Sequence, residues 1–197
     1  AWGYEKRLMD KAADEHIFSQ YFDYQFRPLE NLYSTFGLRS DEHSVVGRKT
    51  SGRTTLAYKL DKKSKIRSSF GAGIRFPSLY DYHYADGNTP SSGAGSNAAY
   101  NLEDLKAERG ISYDLGYDTY LDFLDLGLNL TYFNVEQKNP LVSDSRNNWK
   151  LKNEDGVNTS EGIELSANWQ PENKKIGISF GYTFADSFDS NTCDAGD

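Results

Sequence analysis

A single cysteine, Cys193, leaves no room for a disulfide framework within the chain or for a thiolate zinc site. The three histidines, His16, His43 and His83, stand far apart without metal-ligand spacing, and no serine lies in a nucleophile-elbow pattern. No apolar run approaches the roughly 18 residues that a membrane-spanning helix requires, and mean hydropathy is only -0.73. Positive charge is scarce as well: 22 Lys and Arg face 29 Asp and Glu, a net charge of -7. That balance argues against a nucleic-acid binder, which needs a basic face. None of these absences excludes a membrane, because barrel strands cross with roughly 10 residues each and hide their hydrophobicity in alternation.

What is present is alternation. Ile66, Ser68, Phe70, Ala72 and Ile74 lie on one face of a strand, with Lys65, Arg67, Ser69, Gly71, Gly73 and Arg75 on the other. Pro77, lacking a backbone donor, predicts that this strand leaves the sheet there. A second run pairs Ile111, Tyr113, Leu115 and Tyr117 against Ser112, Asp114, Gly116 and Asp118. Leu124, Leu126, Leu128, Leu130 and Tyr132 form the clearest apolar stripe, opposed by Asp125, Gly127, Asn129 and Thr131. Further strands are predicted over 1–8, 16–26, 31–41, 53–60, 157–169 and 176–184. The runs last about 8 to 13 residues, whereas globular strands usually last about 5 or 6.

The connections fall into two classes that alternate along the chain. Short turns are expected near Pro28, Lys62, Asp122 and Pro171, and long loops over 42–52, 76–107 and 137–156. Outer-membrane barrels segregate loop lengths in this way, with short periplasmic turns and long extracellular loops. Aromatic residues make up 14% of the chain, including 14 Tyr and 3 Trp. Tyr24, Phe26, Tyr58, Tyr117 and Trp169 fall near strand ends, where amphipathic rings suit lipid headgroups. The same residues also suit an ordinary strand. The chain is read as all-β, an antiparallel transmembrane β-barrel that is partial, with about eight meander strands.

Three segments carry a family resemblance. Gly73-Ile74-Arg75-Phe76-Pro77-Ser78-Leu79-Tyr80-Asp81 resembles the pattern of TonB-dependent outer-membrane receptors. Leu105-Lys106-Ala107-Glu108-Arg109, followed by Ser112-Tyr113-Asp114-Leu115-Gly116-Tyr117, is similar to the family's strand-entry pattern, with Ala107 in place of the usual proline. Gly162-Ile163-Glu164-Leu165 resembles a Gly-Val-Glu strand found later in the same barrels. The resemblance implies a monomeric barrel of about 22 strands around an N-terminal plug. Such a receptor lies in the outer membrane of a Gram-negative bacterium and imports a ferric siderophore, haem or cobalamin with energy relayed by TonB. Residues 1–197 are then expected to be part of one barrel domain, cut at both ends, with the plug and the closing strands absent. The expected partners are outer-membrane lipid, the protein's own plug domain, TonB through that plug, and a small ligand. No nucleic acid, no resident cofactor and no enzymatic activity are expected. The alternatives are a porin or other outer-membrane barrel, a secreted soluble β-sheet binding protein, and an enzyme built on a barrel.

Candidate ligand contacts are Arg75, Tyr80, Tyr82, His83 and Tyr84 at the start of the 76–107 loop, with Trp149 as a second aromatic wall. Tyrosine combines apolar area with a polar tip, which suits a bulky, partly polar ligand. Gly93-Ala94-Gly95-Ser96 would give the loop mobility. Asp81, His83 and Asp86 offer metal or acid/base chemistry on paper but read as solvated loop residues. Asp186, Asp189, Asp194 and Asp197 could supply oxygen ligands to calcium, without EF-hand spacing. Cys193, a lone thiol expected in an oxidising compartment, predicts a partner cysteine downstream in the same extracellular loop.

Overall fold

The computed structural model describes residues 2–9, 13–78, 81, 105–144, 150–171 and 176–190. Its strands are β1 (Trp2–Met9), β2 (Ala13–Leu29), β3 (Leu32–His43), β4 (Gly47–Lys59), β5 (Lys65–Arg75), β6 (Glu108–Leu121), β7 (Leu126–Lys138), β8 (Leu141–Asp144), β9 (Lys150–Asn153), β10 (Val157–Trp169) and β11 (Ile178–Asp189). Nine of them form one antiparallel sheet in the order β1-β2-β3-β4-β5-β6-β7-β10-β11, and β8 pairs with β9 as a separate hairpin. The sheet is thus a simple meander with one inserted hairpin. Its nine strands correspond to the runs named from the sequence, with 1–8 at the edge as β1.

Several boundaries differ from the sequence reading for identifiable reasons. Arg27-Pro28-Leu29 is not the turn: β2 continues to Leu29, and the register slips between Phe26 and Leu29. An irregularity of this kind is where a strand tolerates a proline that cannot donate to the ladder. The chain reverses instead at Glu30 and Asn31. The expected long loop over 42–52 is absent, since β3 and β4 pair as far as His43↔Gly47 and only residues 44–46 connect them. Polar strand ends there resemble loop composition. Leu124 lies in a 3-10 turn, Asp122–Leu124, so the apolar stripe of β7 begins at Leu126. The long 137–156 connection contains the β8–β9 hairpin. Connection length therefore segregates less cleanly than expected: the β1–β2 and β3–β4 links share one end of the sheet with the two long connections but span only residues 10–12 and 44–46.

Register aligns the faces across strands. One continuous row runs Tyr24↔Phe36↔Thr54↔Phe70↔Tyr113↔Asn134↔Glu161↔Asp186. In β2 and β3 this row passes through the middle of the apolar stretch, between Phe22 and Phe26 and beside Leu38. In β7, β10 and β11 it lies beyond the stretch, which there comprises Leu126 to Tyr132, Ile163 to Trp169 and Ile178 to Phe184. The apolar band thus crosses the hydrogen-bonded rows obliquely. A band level with a membrane must do this when strands tilt by about 35–45° to the barrel axis. Along β7 the stripe covers six residue steps, about 20 Å at roughly 3.4 Å each, which at such a tilt spans about 15 Å of the height of an apolar band about 25 Å tall.

Burial is inverted relative to a globular core. Phe22 is 58% exposed, Leu130 48% and Phe184 61%. The buried apolar residues among those described are Leu105 and Ala107, while Glu15, Asp41, His43, Glu108, Thr131 and Asn134 are all buried. An apolar face this extensive requires a cover that the sheet does not itself supply.

The opposite face is polar and laced with charge pairs between strands. Arg67 on β5 donates from Nη2 to Oγ1 of Thr131 at 2.6 Å and from Nε to Oδ1 of Asp118 at 3.3 Å, and its Nη1 lies 3.6 Å from Asp114. Asn129 donates to Asp118, and Ser69 to Asp114. Arg53 reaches Asp23 at 2.9 Å, and Arg39 donates to both oxygens of Asp41 at 2.9 Å while Ser19 donates to the same carboxylate at 2.5 Å. These contacts explain Gly116 of the strand-entry pattern. A Cβ there would sit 2.7 Å from the Arg67 guanidinium carbon, closer than non-bonded carbons approach one another.

The β4–β5 turn shows how a short connection is fixed. The Asp61 carboxylate accepts the N–H groups of Lys63 at 2.7 Å and Ser64 at 2.8 Å, an Asx-type closure that mimics a backbone turn. Because these two bonds favour the ionised form, the Asp61 carboxyl is held below its usual range. Its folded value lies below its unfolded value, so its contribution is complete above the ordinary carboxylate range and is lost as pH falls through the folded value. Carbon-detected NMR titration of the Asp61 carboxyl should give a midpoint below about 3.9, the ordinary aspartate value. A midpoint at or above it would show that the turn is not closed in this way.

Candidate functional site at the long-connection end of the sheet

The two halves of the sequence pattern meet at one end of the sheet. β5 ends at Arg75, Phe76 and Pro77 follow, and Pro77 is fully buried. Asp81 then closes a reciprocal turn. Its carboxylate accepts the Ser78 N–H at 2.8 Å and the Ser78 hydroxyl at 2.9 Å, and its own N–H donates to Ser78 Oγ at 3.2 Å. This Ser-x-x-Asp arrangement matches a capping box. Register places Arg75 opposite Glu108, the first residue of β6. Arg75 Nη1 donates to Glu108 Oε2 at 2.7 Å, and Nη2 reaches Asp81 Oδ2 at 3.5 Å. One guanidinium therefore ties the end of β5, the start of β6 and the first turn of the 76–107 connection.

The 139–156 connection joins the same point. The second oxygen of Glu108 accepts the Leu141 N–H at 2.7 Å. Asn153 accepts the Lys106 N–H at 2.7 Å and donates through Nδ2 to the carbonyls of Lys106 at 3.0 Å and Asn139 at 2.9 Å. Leu105 is buried against Val45, Leu141 and Leu151, so three connections contribute to one small apolar cluster.

A third tie lies beside it. Phe76 stacks on His43, with centroids 4.9 Å apart and planes 18° from parallel. Nδ1 of His43 accepts the N–H groups of Val45 and Val46 at 3.1 and 3.2 Å. That nitrogen thus carries no proton, and the ring proton sits on Nε2, which lies 3.5 Å from Oε2 of the buried Glu15.

Of the expected ligand contacts, Arg75 lies at the end of β5, where Glu108 and Asp81 hold its guanidinium. Tyr80, Tyr82, His83, Tyr84 and Trp149 lie outside the described residues, as do Asp86, Asp194, Asp197, Cys193 and Gly93-Ala94-Gly95-Ser96. Asp81 accepts from Ser78 and Arg75 and its side chain is only 13% exposed, so it is not the solvated loop residue expected. Asp186 and Asp189 lie on β11, and no group of three or more metal-ligating side chains occurs among the described residues. Sequence reasoning missed the roles of Glu15, His43, Glu108 and Asn153. Glu108 stood inside a motif and could have been paired with Arg75. Asn153 and the Glu15–His43 pair carry no local signal.

The comparisons agree with this geometry. Residues 7–197 match the family model described as TonB dependent receptor-like, beta-barrel. The chain is 26% identical over 137 residues to the ferric enterobactin receptor of Pseudomonas aeruginosa, covering 67% of this chain and 18% of that protein. It is 26% identical over 130 residues to the ferrienterobactin receptor of Escherichia coli K12, covering 64% and 17%. The crystal structure of the siderophore receptor PirA from P. aeruginosa superposes with a TM-score of 0.74 at 22% identity, over 94% of this chain and 35% of that one. The chain thus spans under a fifth of the length of the curated relatives it matches. With a family model matching almost its whole length and a meander sheet that superposes on a receptor barrel, the chain belongs to the TonB-dependent receptor β-barrel family, as a partial transmembrane barrel.

Proposed function

We propose that this chain forms part of the barrel wall of an outer-membrane receptor that imports a ferric siderophore with energy relayed by TonB. The apolar band faces lipid and the polar face lines the lumen. In this reading the plug, the TonB-contacting segment and the remaining strands come from the rest of a longer, monomeric protein, and the polar face packs beside that plug. The observation that carries the proposal is the oblique apolar band on a sheet whose other face is polar and whose one end gathers two long connections. Both curated relatives are named for ferric enterobactin, which favours a siderophore over haem or cobalamin. Arg75, Tyr80, Tyr82, His83, Tyr84 and Trp149 are proposed ligand contacts on or beside those connections. The family is one of transporters and receptors, and no catalytic step is assigned to the chain.

Deleting Gly87 to Ala98 from the full-length receptor should weaken ferric enterobactin binding at the cell surface at least tenfold, with barrel insertion unchanged. Haem and cobalamin are the parallel probes. Undiminished binding of ferric enterobactin would remove this connection from recognition, and binding of haem or cobalamin alone would replace the siderophore reading.

A further inference from the structure

We propose that Glu108 and Asn153 are positioning residues that lock the bases of the two long connections into one mechanical unit, so that loosening either base loosens the other. Glu108 is only 5% exposed, and each of its oxygens serves a different connection: Oε2 takes Arg75 and Oε1 takes the Leu141 N–H. Asn153 makes the reciprocal link. It pairs with both backbone groups of Lys106, in the manner of one rung of a ladder, and spends its remaining donor on Asn139 within its own connection. The Glu154 N–H adds a bond to the Pro140 carbonyl at 2.9 Å, closing that connection on itself.

These bonds are not needed to hold the strands. The β5–β6 ladder already runs to Arg75↔Glu108, and the β7–β10 ladder to Lys138↔Val157. What the two side chains add is a bond between connections that are 33 and 47 residues apart in sequence. The bonds of Glu108 and the Asn153–Asn139 bond are partly buried beside the Leu105, Leu141 and Leu151 cluster, where limited water makes a bond stronger and an unmade one costlier, whereas the Asn153–Lys106 pair is more exposed. Replacing the Glu108 carboxylate frees Arg75 from β6 and releases Leu141. Leu141 packs on Leu105, the neighbour of Lys106, so the disturbance reaches the Asn153 side through packing. The reverse path runs from Asn153 through Lys106 and Leu105 to Leu141.

The test uses the full-length receptor in detergent micelles and reads amide hydrogen exchange, which reports local opening. A merely local role predicts that Asn153→Leu exposes only Lys106, and Glu108→Met, which removes both acceptor oxygens, only Leu141. The lock predicts that Asn153→Leu also speeds exchange at Leu141, and Glu108→Met also at Lys106, each at least tenfold, with mid-strand amides of Phe70 and Leu130 unchanged. Asn153→Asp, which keeps the acceptor for Lys106 but loses both donated bonds, should give an intermediate effect and serves if the leucine variant does not insert. Exchange confined to the directly bonded amide in each variant would overturn the proposal.

The functional arm rests on the siderophore reading and is separable from it. Ferric enterobactin should dissociate at least tenfold faster from both variants. Coupled exchange without any change in ferric enterobactin dissociation would uphold the lock and count against the siderophore reading alone.

Discussion

Leu130→Arg in the full-length receptor should lower folding stability by about 2–4 kcal/mol, the cost of a cation near the bilayer midplane on a barrel's lipid face. Leu130 lies midway along the β7 stripe, and its row partners are Tyr117, Ile66, Leu165 and Tyr182, all on the same face. No carboxylate occupies that row to receive the guanidinium. The comparison is Thr183→Arg, on the polar face of β11 opposite Glu164, where the new cation gains an opposite charge and stays in water. Its cost should fall within about 0.5 kcal/mol, as for other surface substitutions. Asn129 is also on the polar face but makes a poor control, because it is bonded to both Asp118 and Arg67. Urea titrations of the two variants in phospholipid vesicles would decide. Equal losses at Leu130 and Thr183 would mean that the apolar band is not in lipid.

Gly162→Val should cost about 1–3 kcal/mol or more, the range for forcing extra atoms into a packed site. A Cβ at Gly162 would collide with the backbone carbonyl of Phe184, lie 2.9 Å from Ala185 Cα and 2.9 Å from the Phe133 ring. Two of these neighbours are backbone of the adjacent strand, so no rotamer change relieves them and the β10–β11 ladder must open around Gly162↔Ala185. Gly162→Ala meets the same backbone and should already show most of the loss. Gly73, in the first motif, provides the contrast. Nothing lies within 4 Å of where its Cβ would stand, so Gly73→Ala should be neutral or stabilising by up to about 1 kcal/mol through the unfolded state. Barrel insertion and thermal unfolding followed by gel mobility measure both, and a tolerated Gly162→Val would mean that β10 and β11 do not pair in this register.

The alternation of residues in 65–75, 109–118, 126–132 and 157–169 was enough to specify long two-faced strands, because side chains on a strand point to opposite faces with a period of two. Pro77 likewise ended β5 where its missing donor required. The three motifs, read as a resemblance, named the family. What the sequence left open was everything set by register and by burial. Polar strand ends at 42–43 and 47–52 look like loop until pairing with a neighbour gives their backbone groups partners, and Pro28 looks like a turn until the slip beside it lets the strand run on. Whether Tyr24 and Asp186 share a row is decided by cumulative register over eight strands, and only that register shows the apolar band to be oblique and so level in a tilted barrel. The lock at the long-connection end is the extreme case. Arg75 with Glu108 could be guessed from motif order, but Asn153 meets Lys106 across 47 residues, and His43 meets Glu15 and Phe76 only because β2, β3 and β5 end at the same rim. Side chains that far apart acquire a shared environment through strand pairing alone, and strand pairing is a property of the folded sheet.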